Sequence, residues 1–194
     1  MGVLIDWISQ PPTPCDLLLV AMPGVGDVGK LAIDAVNAEL DAEPIARILH
    51  PALPPLAKLD EDGLLAPPHI LLSRVIVDGR EVYTLTGDAQ PMTPEGQHEL
   101  AVSVLELCEG GEVLVLAGMS AQAERKEVFT ITSSSSYRIE LESMGVDVRR
   151  DEPKAGVIGM AALITAIGPI KNVKTSCTIA TTVGNSADPV ASQL

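Results

Sequence analysis

Aromatic side chains are almost missing from this chain: one Trp, two Tyr and one Phe make up 2% of its 194 residues. Capture of single-stranded nucleic acid on stacked aromatic platforms is therefore excluded. Positive charge is scarce too, with 13 Lys+Arg against 26 Asp+Glu and a net charge of −13, and such a surface repels a phosphate backbone. No nucleic-acid partner is expected. The longest uncharged run, Ala155 to Ile170, falls short of the roughly 18–20 residues that span a bilayer, and Gly168-Pro169 breaks its end. No membrane partner is expected either. Met1-Gly2-Val3-Leu4-Ile5-Asp6-Trp7 has no basic stretch ahead of an apolar one, and Asp6 stands where a myristoylation signal has Ser or Thr. A cytoplasmic location follows as the expectation. Cys15, Cys108 and Cys177 form no Cys-x-x-Cys pair and sit among apolar neighbours, so they read as small buried hydrophobes of a reduced compartment. His50, His69 and His98 lack ligand spacing. Neither a metal nor a cofactor is expected.

What the chain does have is apolar material, 46% of it, in the length of one domain. Asp16 to Met22 is a short continuous apolar run, the pattern of a strand buried on both faces. Val28 to Leu40 places Leu31, Ala35, Val36 and Leu40 on one helical face, and Pro44 to His50 reads as a second strand. Pro51 to Pro68 is a long proline-rich loop, and such loops in compact domains are working or interface segments. Asp78-Gly79 splits Ile70–Val77 from Glu81–Thr86 as a hairpin. Thr93-Pro94 starts a helix running to about Cys108, ahead of a buried strand at Val113–Ala117. Further strands are predicted at Val128–Thr132, Val146–Val148 and Lys174–Val183. Ser136 to Gly145 and Val157 to Ile167 read as helices, the second buried. Asp188-Pro189 reads as the start of a last helix, short at Leu194. The alternation predicts one α/β domain over residues 1–194, a layered sandwich with a mostly parallel central sheet and a hairpin.

Ligands of such sheets bind beyond the carboxyl ends of the strands. Those ends carry Pro23-Gly24-Val25-Gly26-Asp27-Val28-Gly29, then Gly87-Asp88-Ala89-Gln90-Pro91, Gly118-Met119-Ser120 and Val183-Gly184-Asn185. The candidate ligand-binding set is therefore Gly24, Gly26, Gly29, Asp88, Gln90, Ser120 and Asn185. Glycines there allow close backbone approach and free helix-start amides for an anion; equally, they can do no more than make tight strand-to-helix turns. Specific templates fail. Gly24-x-Gly26-x-x-Gly29 has the spacing of a dinucleotide fingerprint, but the second strand ends at His50 where an acid is needed. Gly29-Lys30 is followed by Leu31, not the Ser or Thr of a phosphate-binding loop, and Gln122 breaks a nucleophile elbow around Ser120. Ser120 then reads as a helix cap, and Asp88 either as an orienting carboxylate or as a residue bonding its own turn. No catalytic residue is assigned.

Met22-Pro23-Gly24-Val25-Gly26-Asp27-Val28-Gly29 resembles the Pro-Gly-x-Gly-x-x-Gly opening of the proteasome assembly chaperone superfamily. Gly87-Asp88-Ala89-Gln90-Pro91, Gly118, and the small-residue segment from Gly156 through Met160 to Leu163 are similar to its later signatures. The resemblance runs from about Asp16 to Asp188. It implies a phosphorylase-like α/β fold, self-association, and help in assembling proteasome α-subunit rings, without catalysis. Relatives of this kind often end in a hydrophobic-Tyr-any docking tail. These 194 residues end Ala191-Ser192-Gln193-Leu194, with the last tyrosine at Tyr137; they depart from that pattern, and a docking tail beyond Leu194 is left open. Two functions compete: a protein-binding assembly factor, with Leu53, Leu56, Leu59 and Leu64 of the proline-rich loop as its contact patch, and a binding protein or enzyme for a phosphate- or nucleoside-type ligand held by the glycine loops.

Overall fold

The computed structural model describes residues 2–12, 15–60, 62–184 and 187–194. Its strands are β1 (Leu4–Trp7), β2 (Leu17–Ala21), β3 (Glu43–Leu49), β4 (Lys58–Leu59), β5 (Leu65–Ala66), β6 (Ile70–Val77), β7 (Arg80–Gly87), β8 (Glu112–Ser120), β9 (Val128–Thr132) and β10 (Lys174–Thr182). Its helices are α1 (Val28–Glu39), α2 (Pro94–Leu107), α3 (Ser135–Ser143) and α4 (Gly159–Ile167). The main sheet has the order β1-β3-β6-β7-β2-β8-β10-β9. At its centre β7, β2, β8 and β10 are parallel, as the alternation predicts. Antiparallel pairing extends further out than one hairpin, through β6, β3 and β1 on one side and β9 on the other. Edge strand β1 has too short an apolar pattern to be seen in the sequence.

Alternation along the strands separates the two faces of the sheet. Leu18, Val20, Val113, Val115, Cys177 and Ile179 point to one face and share a core with Leu100, Val104 and Leu105 of α2 and Met160 and Ile164 of α4. Ala180, of opposite parity, packs with Val28 of α1 and Ala191 on the other face. The sheet is thus sandwiched. The turn at Asp78 and Gly79 is left-handed at both residues (φ 49° and 76°), which matches the twist of β6 and β7.

Four local expectations change. Val146–Val148 forms no strand, only an isolated parallel bridge from Val148 to Thr130. Pro51–Pro68 contains the small antiparallel pair β4–β5. Ser134, not Ser136, caps α3, its side chain accepting from the Tyr137 N–H at 3.3 Å. Cys15 and Cys108 are paired, with Cα atoms 4.9 Å apart, where the expectation was separate reduced thiols. They meet because Cys15 precedes β2, Cys108 caps α2, and the Glu112 N–H donates to Asp16 O at 2.9 Å just beyond them. Cys177 is free and buried, and burial pushes its thiol up to about 12.

Candidate functional site

The sheet order reverses between β2 and β8. From β2 the chain moves through α1 toward β3, and from β8 it moves the opposite way, toward β9 and β10. Strand-following loops diverge at such a point and leave a crevice at the carboxyl rim. A cavity of about 780 Å³ lies there. Its walls are residues Met22 to Gly24 after β2, Ala117 to Ser120 at the end of β8, and Gly156 to Met160 at the start of α4, with Gln90 and Gln97. Among the described residues no Asp, Glu, Lys, Arg or His lines it. The size is that of a small-molecule pocket, and the lining is apolar with a few amide and hydroxyl groups.

Gln90 ties the walls together. Its Nε2 donates to Pro23 O at 2.7 Å, and its Oε1 accepts from the Met160 N–H at 3.1 Å. The wall from Pro153 to Gly156 is anchored behind the cavity by Glu152, which is ion-paired to Arg125 and, at 3.3 Å, to Arg149. Both arginines also grip Glu127, at 2.8 and 2.9 Å. Hydrogen bonds from Arg125 hold the carboxyls of Glu127 and Glu152 below their ordinary value.

The glycines serve packing first. A Cβ on Gly29 would lie 2.1 Å from Leu116 O, and one on Gly118 would lie 2.1 Å from Val25 O, so α1 and its preceding turn press directly onto β8. The Gly24 N–H donates to Asp27 Oδ1 at 3.2 Å. An internal carboxylate therefore already occupies that amide. Gly26 lies outside the cavity. Its φ is 65°, its carbonyl accepts from the Asp188 N–H at 2.8 Å, and the Thr182 side chain fills the space beside it.

Of the predicted residues, the structure brings Gly24, Gly29, Gln90 and Ser120 to one cavity. Ser120 ends β8 and no helix follows it among the described residues up to Ser134, so it caps nothing. Asp88 stands apart, beside a smaller cavity of about 240 Å³ under the proline-rich segment. There it bonds Lys58 at 2.7 Å, and that bond holds its carboxyl below the ordinary value. Asn185 lies outside the described residues. Gln97 and the wall at Val157 and Ile158 were not in the predicted set. Gln97 had a signal, since the Thr93-Pro94 helix start fixes it one turn into α2, where its Nε2 donates to Pro91 O at 2.9 Å. Among the described residues no group of three or more His, Cys, Asp or Glu could hold a metal ion.

The leucines of the proline-rich segment divide. Leu53 is 4% exposed and belongs to the core, so it drops out of the expected contact patch. Leu56, Leu59 and Leu64 are 61%, 71% and 65% exposed, and Leu65 joins them at 71%. Leu59, Leu64 and Leu65 belong to the β4–β5 hairpin, where Asp60 Oδ1 accepts from the N–H groups of Asp62 and Leu64 at 3.1 and 2.8 Å, and Leu56 lies just before it. No described helix is long and apolar enough to cross a membrane.

A mixed sheet with a parallel centre, covered on both faces and opening at the β2/β8 rim, defines a three-layer α/β protein. Residues 18–194 match the model of the PAC2 family, and the chain belongs to it. Its fold is that of Pyrococcus furiosus PbaB, described as an archaeal proteasome activator, with a TM-score of 0.85 and 19% identity over 99% of this chain and 85% of that one. It is also that of P. furiosus PbaA, described as an archaeal homolog of proteasome-assembly chaperone, with a TM-score of 0.79 and 23% identity over 99% and 77%. An uncharacterized protein of Methanocaldococcus jannaschii is 24% identical over 184 residues, 91% of this chain and 69% of its own length.

Proposed function

We propose that this chain is a self-associating, protein-binding factor that acts on proteasome α subunits and does so without catalysis. The family and the two Pyrococcus neighbours supply the class of partner. The observation that carries a binding role is the exposure of Leu56, just before β4, and of Leu59, Leu64 and Leu65 in the β4–β5 hairpin, each more than half exposed. Leucines held out in water cost roughly 1.5–3 kcal/mol each relative to burial, and a partner surface recovers that energy. Self-association draws on the sheet edge at β1, where Leu4 is 63% exposed.

Affinity capture of purified α subunits by the intact chain tests the reading, with Leu59→Asp/Leu65→Asp as the control. Capture by the wild type and its loss in the double variant is the expected result. Absence of capture by the wild-type chain overturns it. Sedimentation equilibrium of the chain alone tests self-association, and a monomer at all concentrations removes that part.

A further inference from the structure

The cavity at the β2/β8 rim has no part in binding through the hairpin, yet it has the attributes of a ligand site. Its volume, about 780 Å³, lies inside the range of roughly 300–1,000 Å³ typical of small-molecule pockets. It opens where the strand order reverses, and its floor is the apolar ends of β2 and β8. No ionisable side chain lines it among the described residues, so a phosphate, carboxylate or ammonium group meets no side-chain counter-charge there. Gln90 has a fixed orientation there. A primary amide carries two N–H donors and two carbonyl lone pairs. One donor is used on Pro23 O and one lone pair on the Met160 N–H, which leaves one donor and one acceptor in its hydrogen-bonding set. Ser120 adds a hydroxyl at the exposed end of β8, and Ile158, 86% exposed, adds an apolar rim.

From this geometry we propose that the cavity binds an uncharged, largely apolar small molecule bearing one carboxamide- or lactam-type edge. The apolar body occupies the crevice between β2 and β8, and the amide edge pairs with the free donor and acceptor of Gln90. A charged analogue of the same shape binds more weakly, because among the described residues no charged side chain lines the cavity to offset its lost hydration.

Naphthalene-1-carboxamide and naphthalene-1-carboxylate are matched probes for this test, followed by chemical-shift perturbation on the intact chain. Ser120→Trp fills the mouth from an exposed position and leaves the core unchanged. The carboxamide is expected to bind at least about tenfold more tightly than the carboxylate, and Ser120→Trp to abolish binding in a protein of unchanged fold. Gln90→Met, of similar length, is expected to weaken carboxamide binding about tenfold. No carboxamide binding at about 1 mM, equal binding of the carboxylate, or full binding by Ser120→Trp overturns the site. Full binding by Gln90→Met overturns the role of Gln90. Because the hairpin is not involved, the result is independent of any interaction with α subunits.

Discussion

Gln90 and Met160, seventy residues apart in sequence, are joined by a hydrogen bond of 3.1 Å from the Met160 N–H to Gln90 Oε1. The bond satisfies an amide of the first turn of α4, whose preceding residue Ile158 has no side chain able to cap it. The same side chain holds Pro23 O, so one residue after β7 fixes both the loop after β2 and the start of α4. Gln90→Leu is expected to lower stability by about 1–3 kcal/mol, since it strands a partly buried donor and acceptor together. Urea unfolding checks this; an unchanged midpoint contradicts it.

Glycine substitutions should separate by what a new Cβ meets. Gly118→Ala would drive its Cβ to 2.1 Å from the backbone oxygen of Val25, which no rotamer change can relieve. A loss above about 4 kcal/mol, or failure to fold, is expected. Gly63→Ala meets nothing within 4 Å and suffers only from its φ of 75°, a cost of about 1 kcal/mol. Thermal unfolding of the two variants should therefore differ widely, and similar losses would refute the close approach of Val25 to β8.

The Cys15–Cys108 bridge closes a loop over a sequence separation of 93. Reduction, or Cys15→Ser with Cys108→Ser, is expected to remove about 2–5 kcal/mol. Thiol titration adds an internal check. Buried Cys177, its thiol raised to about 12, should be silent in the native protein, and denaturation without reductant should expose one thiol per chain. Three thiols under those conditions would show that the bridge is absent.

Acid stability should depend on the arginine–glutamate cluster behind the cavity wall. Glu127 and Glu152 are held below the ordinary carboxyl value of 4.5 by hydrogen bonds from Arg125. Their folded values are depressed, so the stability they contribute is complete above the unfolded value and is lost as pH falls through the folded one. The urea midpoint should hold near neutrality and begin to fall around pH 4.5. Arg125→Met should make that acid limb shallower; a limb of equal slope contradicts the coupling.

Much of this was legible in the sequence. Strands β2 and β8 are short apolar runs because both their faces are covered, and the hairpin at Asp78-Gly79 declares itself by turn chemistry. The rim loops were legible for the same reason, since parallel strands at the centre place their ends on one side. Asp88 lies away from the rim cavity, and a carboxylate between Gly87 and Ala89 looks identical in sequence whichever cavity it borders; its partner is Lys58, thirty residues earlier. Leu53 and Leu56 are equally apolar and three residues apart, yet one is buried and the other exposed. Only the course of the chain into the β4–β5 hairpin decides between them. The cysteine pairing was hidden for a similar reason, because it depends on where the end of α2 meets the start of β2.

Calorimetric titration of purified proteasome α subunits with the intact chain, beside Leu59→Asp/Leu65→Asp, tests the binding role most directly. Saturable binding in the micromolar range or tighter is predicted for the wild type, and at least about tenfold weaker binding for the double variant, given the apolar burial that two leucines contribute. A wild-type chain that gives no binding, or a double variant that binds as well as the wild type, would contradict it.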